Sequence, residues 1–203
     1  MKLFHGNNSC STGIVVLIEE LGIDCTVQTV DLAGGEQRSA EFLAINPKGK
    51  VPALLLDDGA ILTEWPAIAT YLDGIAAAPR LIPADPFARA RVYEATDYLV
   101  ATVHMMGFTR MVRPGNFTPN EADHDAVKAR GREIFDGGLA AMDTALDGRD
   151  YLCGDISIAD AALFYCERWK AYRLGEALPA NCQAHYDRML ARPAVARAVA
   201  REG

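Results

Sequence analysis

The sequence predicts an α/β domain over residues 1–75, followed by an all-α domain over residues 87–203. In the first range, short apolar and β-branched runs alternate with segments of helical periodicity. Residues 76–86 contain three prolines, Pro79 among them, so they continue neither a helix nor a strand and form a linker. After the linker, apolar residues recur at helical spacing.

The first domain is predicted to run strand, helix, strand, helix, strand, strand, helix. Its first two strands are joined by a helix, which implies parallel pairing and a right-handed crossover. This order is that of a thioredoxin-like unit, a mixed four-stranded sheet with helices on both faces. Gly22 is placed to end the first helix in a left-handed conformation, and Glu19 and Glu20 are expected on its outer face. The predicted segments are residues 2–5, 14–21, 25–30, 39–45, 51–56, 60–63 and 65–75.

The second domain is predicted to be a bundle of helices. Ser157 and Asp160 begin its third helix with the spacing of a capping box, with Asp in the place of the usual Glu. The predicted helices cover residues 87–110, 121–146, 157–172, 181–191 and 194–201.

Composition and charge exclude several classes of protein. The chain holds 20 Lys+Arg and 27 Asp+Glu, a net charge of -7, which argues against a nucleic-acid binder that must neutralise phosphates. Residues 1–75 carry most of the acidity, with 4 basic side chains against 10 acidic ones. No stretch approaches the roughly 18 consecutive apolar residues of a membrane span, and the N-terminus does not have the pattern of a signal peptide. We therefore expect a cytoplasmic protein without nucleic-acid or membrane partners.

The five cysteines predict neither a disulfide framework nor a metal site. They are odd in number, widely spaced and include no Cys-x-x-Cys. Most are interpreted as buried small hydrophobes. Cys10 differs, because it lies in the loop immediately before a predicted helix, where backbone N–H groups and the helix dipole favour a thiolate. Gly13 stands where a second cysteine of a redox pair would be, so the site is monothiol and an external thiol must resolve any mixed disulfide.

Three motifs carry a resemblance to a known family. Residues 46–54 are Asn-Pro-Lys-Gly-Lys-Val-Pro-Ala-Leu, residues 62–68 are Leu-Thr-Glu-Trp-Pro-Ala-Ile, and residues 154–160 are Gly-Asp-Ile-Ser-Ile-Ala-Asp. With the two-domain organisation, these motifs make the whole chain similar to the cytosolic glutathione transferases. Cys10, within Asn-Ser-Cys-Ser, makes it most similar to the bacterial beta class, in which this cysteine meets the glutathione sulfur. The resemblance implies glutathione as co-substrate, a small hydrophobic electrophile and a homodimer.

The resemblance also implies the residues that hold glutathione. Val51 and Pro52 are expected to present backbone groups to its cysteinyl part, and Pro52 stands where a cis peptide would turn the backbone toward a ligand. Glu64 is expected to bind the γ-glutamyl end. Trp65 replaces the serine usual at the next position, so only its backbone N–H remains there, and the indole is expected either to cover the ligand or to pack as core or interface. Ser9 completes this set.

Few cations are available to the glycyl carboxylate in the acidic first domain. Of Lys48 and Lys50, we favour Lys50, with a solvated surface lysine as the alternative. His5 occupies a position where the beta class often has Tyr, and we interpret it as a structural histidine rather than as an acid or base.

Cys10 and Ser11 are the expected catalytic residues of the first domain, and His104 that of the second. The resemblance implies a histidine at this point that reaches the active site, and a plain helical histidine is the alternative. A lysine that often follows it is Met105 here. Met105, Phe108 and Met111 are expected to form the electrophile pocket, although such a stripe also suits a helical core.

Three functions are consistent with these residues. The first is a glutathione transferase in detoxification, in which Cys10 either stabilises the glutathione thiolate or forms a mixed disulfide with it, the latter giving thiol oxidoreductase or peroxidase activity. The second is an isomerase of the same superfamily, which shares a Ser-Cys-Ser segment but has a further serine where this chain has Asn8. The third is a non-catalytic interaction module that retains the fold.

Overall fold

A computed structural model describes residues 1–78 and 80–202, so Pro79 of the predicted linker and Gly203 lie outside the described residues. The chain forms two compact units. The first contains residues 1–83 together with residues 187–202, and the second contains residues 84–186.

The first unit is built on a mixed four-stranded sheet in the order β2-β1-β3-β4. Strand β1 pairs parallel with β2 and antiparallel with β3, and β3 pairs antiparallel with β4. The predicted order of strands and helices is therefore confirmed, including the parallel crossover. The elements are β1 (Lys2–His5), α1 (Ser11–Leu21), β2 (Thr26–Thr29), α2 (Ala40–Ile45), β3 (Ala53–Leu55), β4 (Ile61–Thr63) and α3 (Trp65–Ile75).

Helix α1 is almost completely buried in this unit. Its residues from Ser11 to Ile18 are all buried, because α3 and the C-terminal helix α9 (Pro193–Ala200) both pack against it. Gly22 ends it in the predicted left-handed conformation, with φ 63° and its N–H donating to the carbonyl of Ile18.

The C-terminal segment differs from the expected division of the chain. Residues 187–202 belong to the first unit, although they were predicted within the all-α domain. The reason is electrostatic as well as apolar: Arg192 binds Glu20 at 2.5 Å, and Arg197 binds Glu19 at 2.7 Å. The expectation that Glu19 and Glu20 lie on an outer face is therefore wrong, since their side chains are only 10% and 8% exposed.

The second unit is helical throughout its long elements, as predicted. Helix α4 (Pro86–Asp97) continues through a π-helical stretch (Tyr98–Phe108) into α5 (Thr109–Val112). A π-helix is rare in proteins and frequently marks a functional site. The remaining helices are α6 (His124–Ala145), α7 (Ile158–Arg168), a π-helical turn (Trp169–Arg173) and α8 (Ala180–Leu190), the last residues of which belong to the first unit. In the parts of the chain that the structure describes, no helix combines the length and apolarity needed to cross a membrane.

The predicted capping box at the start of α7 is confirmed. Asp160 Oδ2 accepts hydrogen bonds from the Ser157 N–H at 2.8 Å and from the Ser157 hydroxyl at 2.9 Å. Its other oxygen accepts from the N–H of Leu152 at 2.9 Å, so the same carboxylate also holds the preceding loop.

We expect Ser157→Ala to lower the free energy of unfolding by about 1 kcal/mol, because the helix loses a buried cap. Urea denaturation of the two proteins measures the difference. Thr144→Ala, a hydroxyl removed from an exposed position on α6, is the control. An unchanged unfolding midpoint for Ser157→Ala would contradict the capping role.

Candidate active site

Cys10 lies at the start of α1 and is half-buried. Its Sγ is 3.7 Å from the carbonyl oxygen of Val51. Its own carbonyl oxygen accepts from the N–H of Gly13 at 3.1 Å and from the indole N–H of Trp65 at 2.9 Å. The structure thus brings together three of the predicted site residues, although they lie far apart in sequence.

The Val51–Pro52 peptide bond is cis, as the sequence predicted. Val51 is half-buried and Pro52 is buried at the head of β3. The carbonyl of Val51 faces the thiol of Cys10. The backbone of this segment therefore lines the same place as the cysteine.

Glu64 has a backbone conformation that is unusual for its residue type. Its φ of 74° and ψ of 127° place it in a region that residues with a side chain rarely adopt, and such strain clusters at functional sites. It immediately precedes α3, so the exposed carboxylate stands beside the N-terminus of that helix. Lys48 Nζ binds Glu64 Oε1 at 2.6 Å and the Thr63 hydroxyl at 2.9 Å.

Lys50 is exposed and makes no ion pair with a described residue. Its carbonyl oxygen accepts from the Asn46 side chain at 2.7 Å, which holds the backbone of the loop. Because Lys48 is already engaged by Glu64, the ammonium of Lys50 is the better placed of the two to receive an added anion.

If Lys50 receives the glycyl carboxylate of glutathione, as predicted from the sequence, Lys50→Ala weakens glutathione binding about three- to fivefold, the size of an exposed ion pair. Isothermal titration calorimetry measures the dissociation constant directly. Lys48→Ala is the matched control, and its effect should be smaller because Lys48 binds Glu64 instead. A larger loss in Lys48→Ala than in Lys50→Ala would contradict the assignment.

Ser9 and Ser11 flank the cysteine but face different surroundings. Ser11 is fully buried, and its hydroxyl lies 2.8 Å from His5 Nδ1 and 2.7 Å from the hydroxyl of Ser9. Ser9 is half-buried. The predicted catalytic Ser11 therefore points into the protein interior, toward a histidine that the sequence suggested to be structural.

Trp65 is 3% exposed, which makes it part of the core of the first unit. Of the alternatives raised by the sequence, the structure shows packing. It adds a hydrogen bond to the carbonyl of Cys10 that no sequence pattern predicts. The residue that replaces the usual serine thus supports the cysteine loop.

In the second unit, His104 lies within the π-helical stretch and is half-buried. Its Nδ1 is 3.4 Å from the hydroxyl of Tyr165, and its ring stands edge-on to Trp169. A role for His104 at the glutathione site stays a prediction.

The residues expected to form the electrophile pocket differ in how far they are buried. Phe108 is 2% exposed and stacks on Trp169 with ring centroids 4.1 Å apart, which is core packing. Met105 and Met111 are half-buried and keep accessible surface. A cavity of about 670 Å³ in the same unit is lined by other residues, among them Phe87, Arg91, Tyr98, Met142 and Arg149.

Three of the four other cysteines are more deeply buried than Cys10. Cys25, Cys166 and Cys182 are buried, as interpreted from the sequence. Burial raises the pKa of the Cys25, Cys153 and Cys182 thiols, which keeps them protonated near neutral pH. Across the described ranges, no group of three or more His, Cys, Asp and Glu side chains is placed to hold a metal ion.

Comparison with known proteins decides the family. The family model described as "Glutathione S-transferase, N-terminal domain" matches residues 9–75. Glutathione S-transferase GstA of Escherichia coli O157:H7 is 36% identical over 207 residues, which cover 100% of this chain and 99% of that protein. This chain belongs to the glutathione S-transferase family.

Solved structures of glutathione S-transferases agree with the sequence-based prediction of fold and class. A glutathione transferase homologue from Sulfitobacter, with bound glutathione, has a TM-score of 0.91 at 29% identity and covers 98% of this chain and 97% of its own. The beta class glutathione S-transferase of Sphingomonas chungbukensis has a TM-score of 0.83 at 33% identity, covering 100% and 99%. The predicted fold and the resemblance to the beta class are confirmed.

An isomerase relative is also present. Maleylacetoacetate isomerase of Pseudomonas aeruginosa is 30% identical over 187 residues, covering 89% of this chain and 85% of that protein. The isomerase alternative is therefore also supported by a similar protein.

Proposed function

We propose that this glutathione S-transferase binds glutathione at the start of α1 and activates its thiol for attack on a small hydrophobic electrophile. The observation that carries the proposal is the position of Cys10, with its Sγ 3.7 Å from the carbonyl of Val51 at a helix N-terminus. The support from relatives is the glutathione bound in the Sulfitobacter homologue.

The surroundings of Cys10 offer a partner for each part of the tripeptide. The backbone at Val51 and Pro52 pairs with the cysteinyl residue, which brings its sulfur to Cys10. The Glu64 carboxylate binds the γ-glutamyl ammonium, and the N-terminus of α3 receives the γ-glutamyl carboxylate. Lys50 takes the glycyl carboxylate. In this arrangement an acidic domain binds an anionic ligand through helix ends and backbone, with few cations.

The chemistry follows from the helix N-terminus. The N–H groups of the first turn of α1 donate to Ser9 and to the Cys10 carbonyl, and the aligned peptide dipoles leave a partial positive charge at this end of the helix. That charge stabilises a thiolate that lies close to the helix N-terminus. A glutathione thiolate held there attacks the electrophile, and the leaving group departs with the bonding electrons.

A covalent route uses the same cysteine. The Cys10 thiolate attacks the glutathione sulfur of a disulfide between glutathione and a substrate thiol, forms a mixed disulfide with glutathione and releases the substrate thiolate. A second glutathione thiolate then attacks the mixed disulfide, because Gly13 offers no internal thiol, and glutathione disulfide leaves as the Cys10 thiolate is regenerated.

The test combines two measurements on Cys10→Ala and Cys10→Ser. We expect the wild type to conjugate glutathione to 1-chloro-2,4-dinitrobenzene, and Cys10→Ala to lower kcat/KM by about tenfold or more. Intact-mass analysis after treatment with glutathione disulfide separates the two routes, since only the covalent route gives an adduct that Cys10→Ser abolishes. Cys153→Ser, a half-buried cysteine of the second unit, is the control. Failure of the wild type to bind immobilised glutathione would favour the interaction module instead.

A second candidate function is isomerisation, favoured by the 30% identity to maleylacetoacetate isomerase. Glutathione-dependent conversion of maleylacetoacetate by the wild type, measured beside the conjugation assay, tests it. A turnover faster than conjugation would make the isomerase the main activity.

The cellular setting is part of the same proposal. We infer a homodimer in the cytoplasm that detoxifies electrophiles, as the family resemblance implies. Sedimentation equilibrium tests the dimer, and a mass equal to one chain at micromolar concentration would contradict it.

A further inference from the structure

A line of polar groups runs from the Cys10 loop to the C-terminal end of the chain. The Ser9 hydroxyl lies 2.7 Å from that of Ser11, and the Ser11 hydroxyl lies 2.8 Å from His5 Nδ1. On the other side of the ring, His5 Nε2 is 3.4 Å from Glu202 Oε1. Four side chains from three separate parts of the first unit are therefore connected end to end.

The buried carboxylate of Glu202 is surrounded by donors. It accepts from the N–H of Asn8 at 3.2 Å and from the hydroxyl of Thr12, and the Asn7 side chain donates to the Glu202 backbone oxygen at 2.9 Å. A buried carboxylate is costly unless donors compensate it, so this placement is specific. His5 Nε2 has no hydrogen bond of ordinary geometry and faces this oxygen, which selects the tautomer with hydrogen on Nε2.

The tautomer sets the direction of the whole line. With Nε2 protonated, His5 Nδ1 is an acceptor and takes the hydrogen of the Ser11 hydroxyl. The Ser11 oxygen then accepts from the N–H of Gly6 at 3.0 Å and from the hydroxyl of Ser9. Every hydroxyl thus donates inward, toward the imidazole.

Burial gives the line one open end. His5 is 1% exposed, Ser11 is 0% exposed and Glu202 is 6% exposed. Ser9 is half-buried and adjoins Cys10 in the chain. Among the described residues of this line, the more exposed end lies beside the cysteine, so we expect the proton to enter there.

We propose that Ser9, Ser11, His5 and Glu202 form a proton relay that accepts the proton of the glutathione thiol bound beside Cys10. The proposal rests on the proposed function, since it requires a thiol to ionise at this position. His5 and Glu202 act through the serines, so they are positioning residues.

The transfer conserves protons and moves no electrons between molecules. The S–H bond of glutathione breaks and its proton goes to the Ser9 oxygen. The hydrogen of Ser9 passes to Ser11, and the hydrogen of Ser11 passes to His5 Nδ1. The resulting imidazolium is stabilised by the Glu202 carboxylate, and the glutathione thiolate keeps the electron pair.

Few other charges face the imidazole. Strand β2 places Thr29 opposite His5, and the residue that precedes β3 on the other side is the uncharged Pro52. Helix α1 contributes Cys10 at its start, while its two glutamates pair with arginines at the other end. Glu202 is thus the carboxylate that controls the ring.

The experiment measures kcat/KM for glutathione conjugation from pH 5.5 to 9 in His5→Gln, Glu202→Gln and Ser9→Ala. We expect kcat/KM of each variant to fall about a hundredfold or more below pH 7, the size of general-base assistance, and to approach the wild-type value at high pH, where hydroxide ionises the thiol. Ser9→Ala changes a half-buried residue, so it tests the relay if the interior variants fold poorly.

Asn7→Ala is the control, because it removes a contact of the Glu202 backbone and leaves the relay atoms in place. A loss that is equal at every pH, or equal in Asn7→Ala and His5→Gln, would show a structural role and overturn the relay. Unchanged pH dependence in all three variants would also overturn it while leaving the transferase function intact. A wild type without glutathione conjugation would overturn both.

Discussion

Replacing His185 with glutamine is expected to lower the free energy of unfolding by about 3–5 kcal/mol. His185 is completely buried in the second unit and lies between two buried carboxylates, with Nδ1 2.9 Å from Glu167 Oε2 and Nε2 3.3 Å from Asp160 Oδ1. Burial alone lowers the pKa of the ring, but Glu167 and Asp160 outweigh it and raise the pKa to about 9. The imidazolium compensates both carboxylates, and glutamine cannot supply that charge.

The pH dependence of stability follows from the same raised pKa. A group whose pKa is higher in the folded protein contributes its full stability below the unfolded value near 6.5, and the contribution is lost as pH rises through about 9. In the wild type, the free energy of unfolding from urea denaturation should therefore be lower at pH 10 than at pH 7. In His185→Gln this free energy should already be lowered at pH 7. His124→Gln, at the start of α6, is the control. A wild type equally stable at both pH values would contradict the charged state of His185.

Trp65→Ala is expected to lower the free energy of unfolding by about 3–5 kcal/mol, the cost of removing a large buried aromatic side chain. Trp65→Phe keeps most of the volume but removes the N–H that donates to the Cys10 carbonyl at 2.9 Å, so we expect a loss of about 1 kcal/mol. The smaller change is the more informative for function, because it releases the loop that holds Cys10 without emptying the core.

Two measurements separate packing from positioning at Trp65. Thermal or urea unfolding reports the stability of both variants, and the rate at which a chromogenic disulfide modifies Cys10 reports the loop. We expect Trp65→Phe to change the modification rate of Cys10 and the KM for glutathione, although its free energy of unfolding falls by only about 1 kcal/mol. If Trp65→Phe keeps the wild-type modification rate and the wild-type KM, the hydrogen bond does not position the cysteine.

The sequence predicted local features of this protein well. The order of strands and helices, the left-handed Gly22 and the capping box at Ser157 all depend on residues close together in the chain, so spacing and residue type suffice to find them. The family resemblance predicted that Cys10, Val51 and Trp65 belong to one site, and the structure places Val51 and Trp65 each in contact with Cys10.

Features formed by distant parts of the chain were not predictable in this way. Glu202 reaches Thr12 across 190 positions of sequence, and nothing local marks a C-terminal glutamate as buried. Helix α7 did contain a signal for the cluster around His185, since Asp160 and Glu167 recur seven residues apart on the buried face of an apolar helix. Their partner on α8 could be found only from the fold.

The most direct test of the account is a crystal structure of this protein with glutathione. We predict that the glutathione sulfur lies within about 4 Å of Cys10 Sγ and that its cysteinyl backbone pairs with Val51. Glutathione bound at another place, or bound with its sulfur away from the start of α1 while Cys10 keeps its contact with Val51, would contradict the account.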